Sequence, residues 1–235
     1  MKQTKQKLLP LLALVTVAYS GASQAVLEDK GYGLIYDTEL DVTWLQDANY
    51  AKTSGHDADG RMNWSAANAW AAGLSYDGGK YGIIDDWRLA DVKPVNHTAF
   101  QYSYSPAGDT DIGFNITSKQ SELSYMFYQN LGNAGYRDTA GNITGCAGPD
   151  YCLTNTGLFD NLESYVYWSA VEYAPSTDGA WAFSTDYGSQ GSLLKHNEFY
   201  VWAVRSGDVT VVPVPAAVWF MGSALLGLTG FARKR

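Results

Sequence analysis

Histidine and cysteine are scarce in this chain of 235 residues, which holds three His and two Cys. His56, His97 and His196 stand far apart without metal-ligand spacing, which argues against a zinc site. No Gly-x-Ser-x-Gly elbow accompanies the many serines, so hydrolysis by an activated serine has no motif to rest on. Basic residues are also few, 16 Lys+Arg against 24 Asp+Glu. Six of the 16 lie in residues 1–25 and 216–235, where there is no acid. The remaining body has ten basic residues against 24 acidic ones, a net charge of −14. Such a field repels phosphate and anionic lipid, so nucleic-acid binding is excluded.

Long apolar runs occur only at the two ends. Lys2, Lys5 and Lys7 precede an apolar run from Leu8 to Tyr19, and Ser23-Gln24-Ala25 follows as a small-x-small site. That order predicts a signal peptide over residues 1–25, read by the secretion machinery and cleaved after Ala25. An uncleaved anchor is the alternative, but the run is well short of the roughly 20 residues a membrane helix needs. At the other end, Ala216 to Ala232 carries no charge and Arg233-Lys234-Arg235 closes it. Positive residues stay cytoplasmic, which places the preceding domain outside.

The order Pro213-Val214-Pro215, apolar helix, basic cluster resembles the PEP-CTERM sorting signals of Gram-negative bacteria, in the VPxPA form. The resemblance implies an exosortase-type membrane transpeptidase as partner. It also implies an inner-membrane intermediate and final delivery to the cell surface or outside the cell. A plain transmembrane anchor is the alternative. The expected organisation is a signal peptide (1–25), a globular domain (26–208), a linker with the Pro-x-Pro motif (209–215) and a transmembrane sorting helix with basic tail (216–235).

The body is rich in aromatics and of a size that suits one domain with its own core. Cys146 and Cys152 flank a Gly/Pro-rich loop, and in an oxidising compartment they are expected to form a local disulfide. Strands are predicted at 33–36, 42–45, 165–171, 180–185 and 199–205. Asn63 can cap a helix to about Ala72, with Ala67, Trp70, Ala71 and Leu74 at helical spacing. A second helix is expected from a Ser118 cap to Leu131, ended by Gly132. Asp91 to Asn115 is long and polar with no clear period. Two helices with antiparallel strands give an α+β fold.

Seven short motifs appear in order. They are Gly33-Leu34-Ile35-Tyr36-Asp37, Thr43-Trp44-Leu45, Met62-Asn63-Trp64, Asp86-Trp87-Arg88-Leu89, Tyr167-Trp168-Ser169, Ala180-Trp181 and Val204-Arg205. Together they resemble the C-terminal domain family of the Legionella collagen-like protein, over roughly residues 31–208. Ala90 stands where the family pattern has Pro. The resemblance implies a C-type-lectin-like domain: two helices flanking a small twisted antiparallel sheet. It makes Trp87, Arg88, Trp168, Trp181 and Arg205 structural. Arg88 is expected to be buried and paired with an acid such as Asp37 or Asp86, since an unpaired buried guanidinium is very costly.

Fold does not give function, so each candidate site stands alone. Asp57-Ala58-Asp59-Gly60 resembles the start of an EF-hand loop, but Met62 and Asn63 follow and position twelve is Asn68. The Glu-Pro-Asn and Trp-Asn-Asp motifs of lectin calcium sites are missing. Asp57 and Asp59 therefore read as a solvated turn; no cofactor is expected, and Ca²⁺ is unsupported. The cysteines do not lie in the context used by formylglycine-generating enzymes, which share the broader fold. Tyr102, Tyr104, Tyr173 and Tyr187 offer apolar faces with polar tips and are candidates for stacking on sugars; plain loop packing is the alternative. The sequence predicts a non-enzymatic surface or matrix protein that contacts glycans or exopolysaccharide. A purely structural envelope or biofilm protein and a matrix glycan hydrolase are the other readings.

Overall fold

The computed structural model describes residues 27–146 and 151–212. The signal peptide, Pro213, Pro215, the predicted sorting helix and Arg233, Lys234 and Arg235 lie outside the described residues. No described helix is long and apolar enough to cross a membrane.

Two sheets carry the fold. The first runs β1 (Leu27–Gly31), β2 (Leu34–Asp37), β3 (Val42–Leu45), β14 (Ala203–Ser206), β7 (Arg88–Leu89), with every pair antiparallel. The second runs β4 (Arg61–Met62), β13 (Phe199–Tyr200), β10 (Val166–Glu172), β11 (Gly179–Ser184), β12 (Ser189–Leu194), β9 (Ile112–Phe114), β8 (Tyr104–Ser105). Within it, β10 with β13 and β8 with β9 are parallel. A small ribbon pairs β5 (Tyr76–Asp77) with β6 (Ile83–Ile84). A bridge between Ala90 and Ser169 joins the two large sheets, with Ala170 N donating to Ala90 O at 2.8 Å. Three α-helices complete the described residues: α1 (Tyr50–Thr53), α2 (Trp64–Gly73) and α3 (Glu122–Tyr125). The architecture is α+β and dominated by sheet.

The tryptophans hold these parts together. Trp44, Trp70, Trp87, Trp168, Trp181 and Trp202 are buried, and Trp64 is half-buried. Four indole N–H groups donate to backbone carbonyls: Trp64 to Ser169, Trp87 to Ile84, Trp168 to Met62 and Trp202 to Leu45. Three of these four partners lie more than 100 residues away in sequence. The buried indole nitrogens of Trp44 and Trp181 have no hydrogen-bond partner among the described residues. The β1–β2 turn needs glycine: Gly33 has φ +73°, and a Cβ there would lie 2.3 Å from the Tyr76 hydroxyl.

Helix α2 follows the sequence pattern. Asn63 caps it by accepting from Ala66 N at 3.0 Å, and Ala67, Trp70 and Ala71 face the core. The second predicted helix is corrected. Residues 118–121 are not helical and Ser118 caps nothing. Ser121 bridges Val92, Lys93 N donates to Gln120 O at 2.7 Å, and Glu122 N donates to Asp91 O at 3.2 Å. Those bonds to the 91–93 segment outcompete the first helical turn. The helix starts at Glu122 and continues as a π-helical turn over Met126–Asn130.

The strand predicted over 199–205 is two strands in different sheets. The chain crosses between them at Val201-Trp202, and the Trp202 indole bonds to Leu45 O at 2.8 Å.

Candidate functional site

The polar stretch 91–115 builds the candidate site. Asp111 is fully buried, and its carboxylate accepts from Val95 N at 2.8 Å and Gln101 N at 2.7 Å. Its own amide donates to Gln101 O at 3.2 Å, and Gln190 Nε2 donates to its carbonyl at 2.9 Å. These bonds anchor residues 95–101 beside the β9–β12 pair. Phe100 and Tyr102 then lie over Trp181 of β11. Phe100 stacks on it at 5.1 Å and 28°, and Tyr102 lies at 6.3 Å and 20°. Tyr173, just after β10, meets both edge-on, 5.3 Å from Tyr102 and 5.3 Å from Trp181. Trp181 is fully buried beneath these rings while Tyr102 stays 39% exposed. The result is an aromatic platform with hydroxyl tips, able to stack on an apolar sugar face and to hydrogen-bond at its edge.

Of the four tyrosines predicted as contacts, the structure unites Tyr102 and Tyr173. Tyr104 packs edge-on against Phe114 at 6.2 Å. Tyr187 lies in the β11–β12 turn with Tyr136 and Tyr151. Sequence reading missed Phe100 and Asp111. The i, i+2 pair Phe100 and Tyr102 was the available signal for the first; Asp111 gave none inside a polar run.

Asp57 and Asp59 are occupied within one turn. Asp57 accepts from the amides of Asp59 at 3.0 Å and Gly60 at 2.8 Å. Asp59 accepts from Arg61 N and Arg61 Nε, and its hydrogen bond to this guanidinium lowers its pKa. Among the described residues, no three His, Cys, Asp or Glu side chains are placed to hold a metal ion. A cleft of about 380 Å³ lies between Ser54-Gly55-His56 and the end of α2, beside Trp70.

Arg88 has a different partner from those expected. Its Nη1 and Nη2 donate to the two carboxylate oxygens of Glu122, both at 2.7 Å, and Nη1 also donates to Leu89 O at 3.0 Å. Burial opposes its charge, but the bonds to Glu122 prevail and raise its pKa. Asp86 instead binds Arg205, at 2.7 and 2.9 Å, and this guanidinium lowers the Asp86 pKa. Asp37 is fully buried and accepts from the amides of Glu39 and Leu40 and from Asn130 Nδ2. Burial raises its pKa. The α3 start supplies Glu122 at the position facing β7, and that placement was hidden while the helix was read from Ser118. Cys146 and Cys152 form the predicted disulfide.

No curated protein and no solved structure matches the chain significantly. The model of the family described as Lcl C-terminal domain matches residues 33–205, from the β1–β2 turn to Arg205 in β14. That span takes in all seven motifs, both large sheets apart from β1, and the aromatic platform, and it points to a surface-associated domain. The chain belongs to the Lcl C-terminal domain family.

Proposed function

We propose that the chain is an exported, non-enzymatic surface or matrix protein whose lectin-like body binds neutral polysaccharide through Tyr102, Tyr173 and Phe100 over Trp181. The single observation that carries this reading is that platform: Phe100 and Tyr102, on a segment anchored by a buried aspartate, meet Tyr173 over Trp181, with Tyr102 left 39% exposed. Rings fixed before binding lose little entropy when a sugar stacks on them. The net charge of −14 on the body favours neutral over sulfated or uronic glycans.

Export rests on Ser23-Gln24-Ala25 and on the Pro-x-Pro, apolar, basic order of the tail. In this reading an exosortase-type transpeptidase releases the body (26–208) with its linker to the cell surface.

A glycan array probed with the mature protein, with and without Ca²⁺, tests the proposal. Binding of neutral glycans, lost in Tyr102→Ala and indifferent to Ca²⁺, is the expected result. Ca²⁺-dependent binding that ignores Tyr102 would replace the platform with a metal site. Release of labelled fragments from exopolysaccharide would make the protein a hydrolase.

A further inference from the structure

The turn between β11 and β12 is held more firmly than a hairpin requires. Gly188 N donates to Ser184 O at 2.7 Å and closes the turn. Beyond that, three successive carbonyls each accept from a different distant segment. Asp186 O accepts from Cys152 N at 3.0 Å, Tyr187 O from Tyr136 N at 2.8 Å, and Gly188 O from the Tyr128 hydroxyl. Burial pushes the Tyr128 phenol up to about 12, so it remains a donor. Gly188 has φ +72°, and a Cβ there would lie 2.8–2.9 Å from Phe127, Gly135 and Tyr128. The backbone at this turn is therefore over-determined.

What this scaffold presents is aromatic. Tyr187 is 40% exposed and packs edge-on against Tyr136 at 5.6 Å. Tyr151 lies 5.7 Å from it, 46% exposed and at φ +47°, a conformation an L residue keeps only when its surroundings impose it. The constraint comes from the next residue. Cys152 is buried, joined to Cys146, and bonded through its amide to Asp186 O.

We propose that Tyr187 and Tyr151 form a second stacking site for a neutral sugar unit, pre-formed by the Cys146–Cys152 disulfide. The proposal rests on the polysaccharide-binding reading above. Trp181 precedes the end of β11 at Ser184 by three residues, roughly 10 Å of strand, so the two sites lie apart along one hairpin. Two sites on one body give a long polymer an avidity that a short oligosaccharide lacks.

The test is affinity electrophoresis of the mature protein through gels containing dextran or galactomannan. Tyr187→Ala and Tyr102→Ala are each expected to weaken retardation about tenfold, and the double variant more than either. Tyr187→Phe keeps the ring and should bind like the parent. Reduction of the disulfide should weaken the parent and leave Tyr187→Ala unchanged. The urea midpoint of Tyr187→Ala should match the parent's; if it falls, Tyr151→Ala takes its place in the comparison. Retardation of the ring-deleted variant equal to the parent's, with Tyr102→Ala still weakened, overturns the second site alone. A parent that neither polysaccharide retards overturns the underlying reading and the second site with it.

Discussion

Replacing Arg88 by Ala removes one partner of a paired charge and leaves the other. Glu122 keeps only 10% side-chain exposure and is held by both guanidinium nitrogens and by Asp91 N at 2.7 Å. Without Arg88, a single backbone amide remains to solvate its carboxylate. Breaking a buried pair in this way costs about 3–5 kcal/mol, whereas an exposed pair contributes about 0–1 kcal/mol. The Arg88 side chain is 31% exposed, so water screens part of the interaction. An intermediate cost of about 2–3 kcal/mol follows.

With a urea slope near the upper end of 1–3 kcal/mol per M for a body of this size, the midpoint should fall by about 1 M. A double-mutant cycle separates charge from packing. Arg88→Met together with Glu122→Leu removes both charges and should recover most of the loss, because no carboxylate is left unpaired. A midpoint for Arg88→Ala within error of the parent's, or a cycle without coupling, would refute the reasoning and make the pair an ordinary surface contact.

Asp37→Asn should hold parent stability at pH 7 to within about 1 kcal/mol, because Asn130 Oδ1 is buried without a partner and can accept from the new amide. Burial raises the folded-state pKa of Asp37, so the parent gains stability as pH falls through that value and towards the unfolded one; the variant should lack this increment in paired urea melts. Protein oxidised and purified from its host should show no free thiol at Cys146 or Cys152, and reduction should cost no more than about 2–3 kcal/mol in the same melts. Intact mass of the native protein should begin at Val26 and stop before Ala232; recovery of the full-length chain from the cell surface would refute the sorting reading.

The parts of the fold legible in the sequence are those whose signal is local. Val42–Leu45 is a short β-rich run, and Asn63 with Ala67, Trp70 and Ala71 combines a cap with helical spacing. The tryptophan landmarks also read correctly, because large rings must find cover wherever the chain puts them. What escaped depends on distant partners. The β12 segment Ser-Gln-Gly-Ser-Leu-Leu has neither alternation nor β-branched residues; it is a strand because β11 pairs with it along its whole length. The non-helical start at 118–121 exists because backbone groups of 91–93 bind there, and that same contact delivers Glu122 to Arg88. The candidate site shares this logic. Tyrosines are visible as a residue type, but which of them converge is decided by Asp111 reaching Val95 and Gln101 across a loop with no period of its own. Tyr102 becomes a platform residue and Tyr104, two positions on, does not, because the platform forms where the loop meets Trp181.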